Sequence, residues 1–138
     1  MNSSTTVCAE LSLWLVIPEH TAVPLVASLS YRGDDPYAIR MAFHVGMDQP
    51  VEWIFARELL IAGNEADGRG DGDVKVWPAA GGDVLNIALS SPYGQALFET
   101  AAAPVAEFVR RIYQIVPAGR EGEFVDVEGE LEALLWQP

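Results

Sequence analysis

The sequence has very few residues that could form a disulfide or bind a metal ion. It contains a single cysteine, Cys8, and two histidines, His20 and His44, among 138 residues. One cysteine excludes an intrachain disulfide, so an oxidising compartment is not indicated. The histidines lack the spacing of a zinc site, and a strand cysteine is more often a small hydrophobic residue than a nucleophile. The sequence therefore predicts no metal site, no cofactor and no catalytic residues.

Basic residues are also scarce. Eight Lys and Arg residues stand against 20 Asp and Glu residues, a formal net charge of −12. Nucleic-acid affinity depends on basic side chains that neutralise phosphates, so a nucleic-acid binder is disfavoured, and an anionic membrane surface would repel the chain. No Lys or Arg precedes Arg32, and no apolar run approaches the roughly 18 residues of a membrane helix. We expect a cytoplasmic protein without membrane insertion.

Apolar and polar residues alternate through much of the chain, which predicts antiparallel strands that pack one face inward. Short connections between the first four strands make an antiparallel meander the default arrangement. The predicted strands number about seven and span 7–17, 25–32, 37–45, 51–55, 74–77, 84–90 and 95–100. Three of the four tryptophans occupy strand positions and are expected in the sheet core: Trp14, Trp53 and Trp77.

Good helix formers over 56–62 predict a short helix after the fourth strand, and the Gly/Asp-rich segment 63–73 is expected to be a mobile loop. A calcium loop that starts at Asp67 would have Arg69 and Pro78 where oxygen ligands belong. The segment also lacks the Gly-Lys-Ser/Thr ending of a phosphate-binding loop. A solvated connector is therefore the favoured interpretation.

The last third of the chain is predicted to be helical. Apolar residues recur every three or four positions from Val105 to Val116, between Pro104 and Pro117, which indicates an amphipathic helix. A second helix is predicted from Asp126 to about Trp136. The length is close to that of one domain, so residues 1–138 are predicted to form a single domain in which residues 1–6 are disordered.

Four segments carry a family resemblance, and they stand in the family's order: Asp35–His44, Val51–Leu60, Gly70–Pro78 and Ile87–Glu99. They resemble the SsgA-like proteins, which are sporulation and cell-division regulators of actinomycetes, and in particular the SsgB branch of that family. The blocks Val-Glu-Trp-x-Phe-Ala-Arg and Gly-Asp-x-x-Val-Trp-Pro are the most specific. The resemblance covers nearly the whole chain and is weakest over the last 20 residues.

The resemblance implies an α+β fold of two antiparallel sheets with C-terminal helices, similar to the Whirly and guide-RNA-binding proteins and assembled as a homotrimer. It also implies a non-enzymatic role at the division septum. Members of this branch help to place the septum by recruiting the tubulin-like protein FtsZ, and an SsgA-type protein is a further partner. The family has no catalytic residues to transfer.

Charged residues that combine charge with expected exposure are the candidate partner surface: Arg57, Glu58, Glu121, Glu123 and Glu128. Trp136 lies two residues from the C-terminus and either docks on the body of the protein or contacts a neighbouring subunit. Two alternatives stay open. A Whirly-like binder of single-stranded nucleic acid needs a basic groove that the sequence does not show. A hydrolase or metal-dependent enzyme needs an occupied metal site or a buried pair of Cys8 with a histidine.

Overall fold

The computed structural model describes residues 5–18, 22–44, 51–63, 69–71, 74–92 and 94–124. In chain order, the elements are β1 (Thr6–Leu15), β2 (Val23–Arg32), β3 (Asp35–His44), β4 (Val51–Ala56), α1 (Glu58–Gly63), β5 (Arg69–Asp71), β6 (Val74–Ala79), β7 (Val84–Ser91), β8 (Gly94–Ala101) and α2 (Ala102–Ile115). Short 3₁₀ turns occupy Ala80–Gly82 and Glu121–Glu123. The described chain is mostly antiparallel sheet with few helices.

The eight strands form one sheet in the order β4-β3-β2-β1-β8-β7-β6-β5. It consists of two four-stranded meanders, the N-terminal half-sheet (β1–β4) and the C-terminal half-sheet (β5–β8). They join where Leu13–Leu15 of β1 pairs with Phe98–Thr100 of β8, and the Thr100 hydroxyl donates a hydrogen bond to the Ser12 carbonyl at 2.9 Å. The prediction of two separate sheets is wrong because the end of β1 pairs on both sides, with β2 and with β8.

The sheet is strongly curved. Phe43 of β3 and Phe98 of β8 stack with their ring centroids 4.9 Å apart and their planes at 26°. Three strand spacings of about 4.8 Å separate these strands, so their rings could not meet across a flat sheet. The concave inner face encloses the core, into which the inward-facing set of β1 points as predicted: Val7, Leu11 and Leu13. We call the opposite side of the sheet the outer face.

Helix α2 covers the inner face. Its buried residues follow the predicted helical spacing: Val105, Phe108 and Ile112. Burial of each such side chain contributes roughly 1.5–3 kcal/mol. The Ala102 N–H donates to the Asp83 carbonyl at 2.9 Å, which satisfies one of the free donors at the start of the helix. Pro104 lies in the first turn, and the helix ends two residues before Pro117, so the predicted amphipathic helix is confirmed.

Part of the Gly/Asp-rich segment is a strand. Arg69–Asp71 forms β5 and pairs with Val74–Val76 of β6. The prediction of a loop over all of 63–73 is wrong at these three residues, because edge pairing needs only backbone groups, which glycine supplies as well as any residue. The short helix predicted over 56–62 is present as α1, but it begins at Glu58 because Ala56 is still part of β4, and it includes Gly63, which was predicted to open the loop. Residues 64–68 and 72–73 lie outside the described residues.

The predictions for the two termini have different outcomes. Thr6 is the first residue of β1, and the Thr5 carbonyl accepts a hydrogen bond from the Gly33 N–H at 2.9 Å. The predicted disorder over residues 1–6 is therefore wrong at these two positions, while residues 1–4 lie outside the described residues. The predicted helix from Asp126 to Trp136 lies outside them as well.

Candidate functional site

Arg57, the first residue of the predicted partner surface, lies inside the protein. Its residue surface is 1% exposed, and its guanidinium forms an ion pair with Glu121, with Nη2 and Oε2 2.6 Å apart. Nη1 donates to the Val116 carbonyl at 2.8 Å and to the Tyr31 hydroxyl at 3.2 Å. The guanidinium carbon also lies 3.8 Å from the ring centroid of Tyr113. The exposure expected for Arg57 and Glu121 is wrong, because each neutralises the other in the interior.

The ionisation of this Arg57 cluster (Arg57, Tyr31, Tyr113 and Glu121) follows from its contacts. Burial raises the pKa of Tyr31 to about 12, partly opposed by the charge of Arg57, so the phenol stays neutral and donates to the Pro36 carbonyl at 2.9 Å. Burial also raises the pKa of Tyr113. The hydrogen bond from Arg57 lowers the pKa of Glu121, which keeps this carboxylate charged.

The Arg57 cluster joins two distant segments of the chain. Arg57 follows β4, whereas Val116 and Glu121 follow α2, so the cluster ties the start of α1 to the end of α2. Gly119, between these two anchors, has φ of +82°, which is a left-handed conformation that glycine adopts without strain. The segment after α2 is therefore held at a fixed place beside α1.

The other charged residues of the predicted partner surface are Glu58 of α1, Glu123 of the 3₁₀ turn after α2, and Glu128. Glu58 and Glu123 are exposed, as predicted, and Glu123 accepts two hydrogen bonds from Arg120, at 2.9 Å and 2.7 Å. The bond from Arg120 lowers the pKa of Glu123. Glu128 and Trp136 lie outside the described residues. Of the predicted set, only Glu58 and Glu123 are shown to be available at the surface.

The outer face of the sheet exposes apolar side chains. Trp14 is 47% exposed, although it was expected in the core, because it alternates outward between the buried Leu13 and the inward-facing Leu15. Val26 and Ile54 lie on the same face at 41% and 55% exposure. The outer face therefore carries exposed apolar side chains at more than one place.

Most described cations are neutralised by carboxylates. Lys75 and Arg111 take part in none of the ion pairs of the described residues, and Arg111 donates to the Cys8 carbonyl at 3.4 Å. The paired cations are Arg32, Arg40, Arg57, Arg110 and Arg120. A groove that tracks a nucleic-acid backbone requires several unpaired cations in a row. In the part of the chain with described side chains, no such row is present.

Within the described ranges, neither candidate for nucleophilic or metal chemistry is assembled. Cys8 is exposed on the outer face rather than buried, and His44 shares a hydrogen bond of 2.9 Å with the Ser28 hydroxyl. His20 lies outside the described residues. Among the residues with described positions, no group of three or more His, Cys, Asp or Glu side chains could hold a metal ion.

The comparisons with known proteins assign the family. The family model described as "Streptomyces sporulation and cell division protein, SsgA" matches residues 25–121. This range contains most of the sheet, both helices and the Arg57 cluster. The chain belongs to the SsgA family.

Individual members of the SsgA family match over almost their whole length. The sporulation-specific cell division protein SsgB of Thermobifida fusca is 52% identical over 132 residues, which are 94% of this chain and 95% of the relative. The crystal structure of an SsgA-like sporulation-specific cell division protein from the same species has a TM-score of 0.85 and 51% identity, covering 97% of this chain and 98% of that one.

A second solved structure concerns mutations in SsgB that correlate to longitudinal cell division during sporulation of Streptomyces coelicolor. It has a TM-score of 0.82 and 43% identity, and it covers 90% of this chain and 98% of that one. The SsgA family and its members carry the names of cell-division proteins, not of enzymes. None of the described helices is long and apolar enough to cross a membrane.

The sequence contained two signals that the predictions for this SsgA-family chain missed. The alternation that turns Phe55 of β4 inward continues to Arg57, which marked the arginine as inward-facing. The alternation of β1 likewise marked Trp14 as outward-facing. Strand position therefore decides both placements: it turns the hydrophobic Trp14 outward and the charged Arg57 inward.

Proposed function

We propose that this chain is a non-enzymatic cell-division regulator that helps to recruit and position FtsZ for septum formation during sporulation. The observation that carries the proposal is the 52% identity, over nearly the whole chain, to a sporulation-specific cell division protein SsgB. On this proposal it acts in the cytoplasm at the division septum, together with an SsgA-type partner.

The geometry supports an adaptor rather than a catalyst. The sheet is curved, and α2 covers its inner face. Among the described residues, no element covers the outer face, which can therefore contact other proteins. Glu58 and Glu123 remain proposed contacts, because both are exposed beside the fixed segment after α2. Glu128 and Trp136 remain predictions for residues outside the described ranges, the first as a partner contact and the second as a subunit contact.

Light scattering of FtsZ polymers tests the proposal. FtsZ from the same organism is assembled with GTP, and this chain is added in increasing amounts. We expect binding and a change in scattering that saturates with the added chain. Glu58→Lys and Glu123→Lys should weaken the effect, whereas Glu107→Lys on the exposed face of α2 serves as a charge-matched control. No binding and no effect on the polymers would overturn the proposal.

We also propose a homotrimer with a Whirly-like arrangement of subunits, as the family resemblance implies. Light scattering coupled to size-exclusion chromatography tests it, with three times the 15.0 kDa chain mass as the expected result. Trp136→Ser should lower the apparent mass if Trp136 is a subunit contact. A monomer mass at all protein concentrations would contradict the trimer, but it would not contradict FtsZ binding.

The alternative, a Whirly-like binder of single-stranded nucleic acid, has less support. A shared fold does not transfer function. The net charge of −12 and the paired cations both oppose it. A filter-binding assay at low salt should give no affinity better than about 10⁻⁴ M, the weak end of non-specific binding.

A further inference from the structure

A row of side chains crosses the outer face where the two half-sheets meet. The register pairs Trp77 of β6 with Asn86 of β7, and Asn86 with Glu99 of β8. Glu99 pairs in turn with Trp14 of β1, and Trp14 with Pro24 of β2. Directly paired residues point to the same face, with Cβ atoms about 5 Å apart. We call these five residues the outer row.

Two tryptophans flank the charged centre of the outer row. Trp14 is 47% exposed and borders a shallow apolar groove with Pro24 and Val26. Trp77 is half-buried and borders a second groove on the other side of Glu99. The apolar lining of this second groove comes from three strands and the segment after β1: Val16, Pro18, Trp77, Ala88 and Leu97. The row therefore separates two recesses that are mostly apolar, the second of which also has Lys75 in its lining.

The centre of the row offers hydrogen-bond acceptors that have no donors. Asn86 is 9% exposed, and its Oδ1 atom is buried without a hydrogen-bond partner. Buried polar atoms are almost always paired, so this buried acceptor beside the exposed Glu99 indicates a missing donor. Glu99 is exposed beside it, and none of the ion pairs found among the described residues includes its carboxylate.

One ligand chemistry satisfies all of these groups. A guanidinium donates several hydrogen bonds from a rigid plane, neutralises a carboxylate and stacks on an aromatic face. The side chains next to it in a bound segment would enter the apolar recesses at Trp14 and Trp77. The net charge of −12 attracts such a cation. An anionic ligand is disfavoured because it would face Glu99 and an acceptor that cannot donate.

We propose that the outer row is a docking site for a partner-protein segment that presents an arginine between apolar side chains. The role of this site in the cell rests on the proposed recruitment of FtsZ, whereas its ability to bind an arginine side chain does not. Lys75, two residues from Trp77 on the same strand, is part of the lining of the second groove and provides the matched control. A bound arginine gains nothing from Lys75 and is repelled by it.

Nuclear magnetic resonance of the indole N–H groups tests the site in the intact protein. The probes are the peptides acetyl-Leu-Arg-Leu-amide and acetyl-Leu-citrulline-Leu-amide, which differ only in charge and in donors. Single Trp→Phe variants assign the indole signals. We expect the arginine peptide to shift the signals of Trp14 and Trp77 but not that of Trp53, which packs against the core on the inner face.

Two variants make the result specific. Glu99→Gln should weaken the arginine peptide roughly fivefold, the range of one exposed ion pair. Lys75→Gln should leave its affinity unchanged or raise it. Equal shifts with the citrulline peptide, no loss in Glu99→Gln, or no shift at Trp14 and Trp77 would each overturn the proposal. Because FtsZ is absent from this experiment, its failure is distinguishable from failure of FtsZ recruitment.

Discussion

The guanidinium of Arg57 and the carboxylate of Glu121 meet at 2.6 Å, although 64 residues separate them in the chain. Arg57 stands at the start of α1, and Glu121 opens the 3₁₀ turn after α2. The pair therefore holds the start of α1 against the segment that follows the end of α2. Its burial explains why these two charges serve the fold rather than a partner.

Removal of Arg57 should destabilise the protein strongly. Arg57→Ala leaves the Glu121 carboxylate and the Val116 carbonyl without their donor, and loss of one partner of a buried pair costs about 3 kcal/mol. Urea unfolding followed by tryptophan fluorescence measures the change. Arg110→Ala, which removes an exposed ion pair with Glu107, should match the wild type. Equal losses in the two variants would contradict the assigned role of Arg57.

The same pair should make stability depend on pH in the acidic range. Arg57 lowers the pKa of Glu121 below its usual 4.5. The folded chain therefore binds fewer protons at this site than the unfolded chain does. The stabilisation is complete above about pH 4.5 and is lost as the pH falls through the lowered pKa. Glu121→Gln should therefore show a shallower loss of unfolding free energy below that pH than the wild type.

Glu107 and Glu123 also have lowered pKa values, but they are present in both proteins, so the difference between the curves isolates Glu121. Parallel curves for the wild type and Glu121→Gln between pH 5 and pH 3 would show that the pair does not contribute in this way.

Adjacent residues of β1 should differ sharply in their effect on stability. Leu13 has no exposed surface, so Leu13→Ala should cost about 2–5 kcal/mol. Trp14 points to the outer face, and Trp14→Ala should cost less than about 1 kcal/mol. Thermal unfolding of both variants measures the difference. A larger loss for Trp14→Ala would mean that the outer face is covered in the folded protein.

The contact between Phe43 and Phe98 tests the curvature of the sheet. The two single alanine variants and the double variant form a double-mutant cycle, and urea unfolding supplies the free energies. We expect a coupling energy of about 0.5–1.5 kcal/mol, as for other stacked aromatic pairs. A coupling of zero would contradict a sheet that brings β3 against β8.

Much of the fold could be predicted from the sequence because its signals are local. The alternation from Val7 to Leu15 is repeated in β2 and β3, and it was confirmed by the burial of their inward-facing sets. The amphipathic stretch between Pro104 and Pro117 was confirmed as α2. The joining of the half-sheets through β1 and β8 could not be predicted, since it depends on pairing between residues more than 80 positions apart.

The candidate site was harder to predict for the same reason. Whether Arg57 is a surface charge or a buried one depends on Glu121 and Tyr113, which come close to it only in the folded chain. The outer row likewise joins Trp77 to Trp14 through two intervening strands. No spacing within one segment marks such a row, so it becomes visible only from the register of the sheet.

Co-sedimentation with FtsZ tests the central claim most directly. FtsZ from the same organism is polymerised with GTP and pelleted in the presence of this chain, with GDP as the control for unassembled FtsZ. The account predicts that the wild-type chain pellets with the polymers, that Glu58→Lys and Glu99→Gln pellet less, and that Glu107→Lys matches the wild type. A wild-type chain that stays in the supernatant with FtsZ in excess would contradict the account.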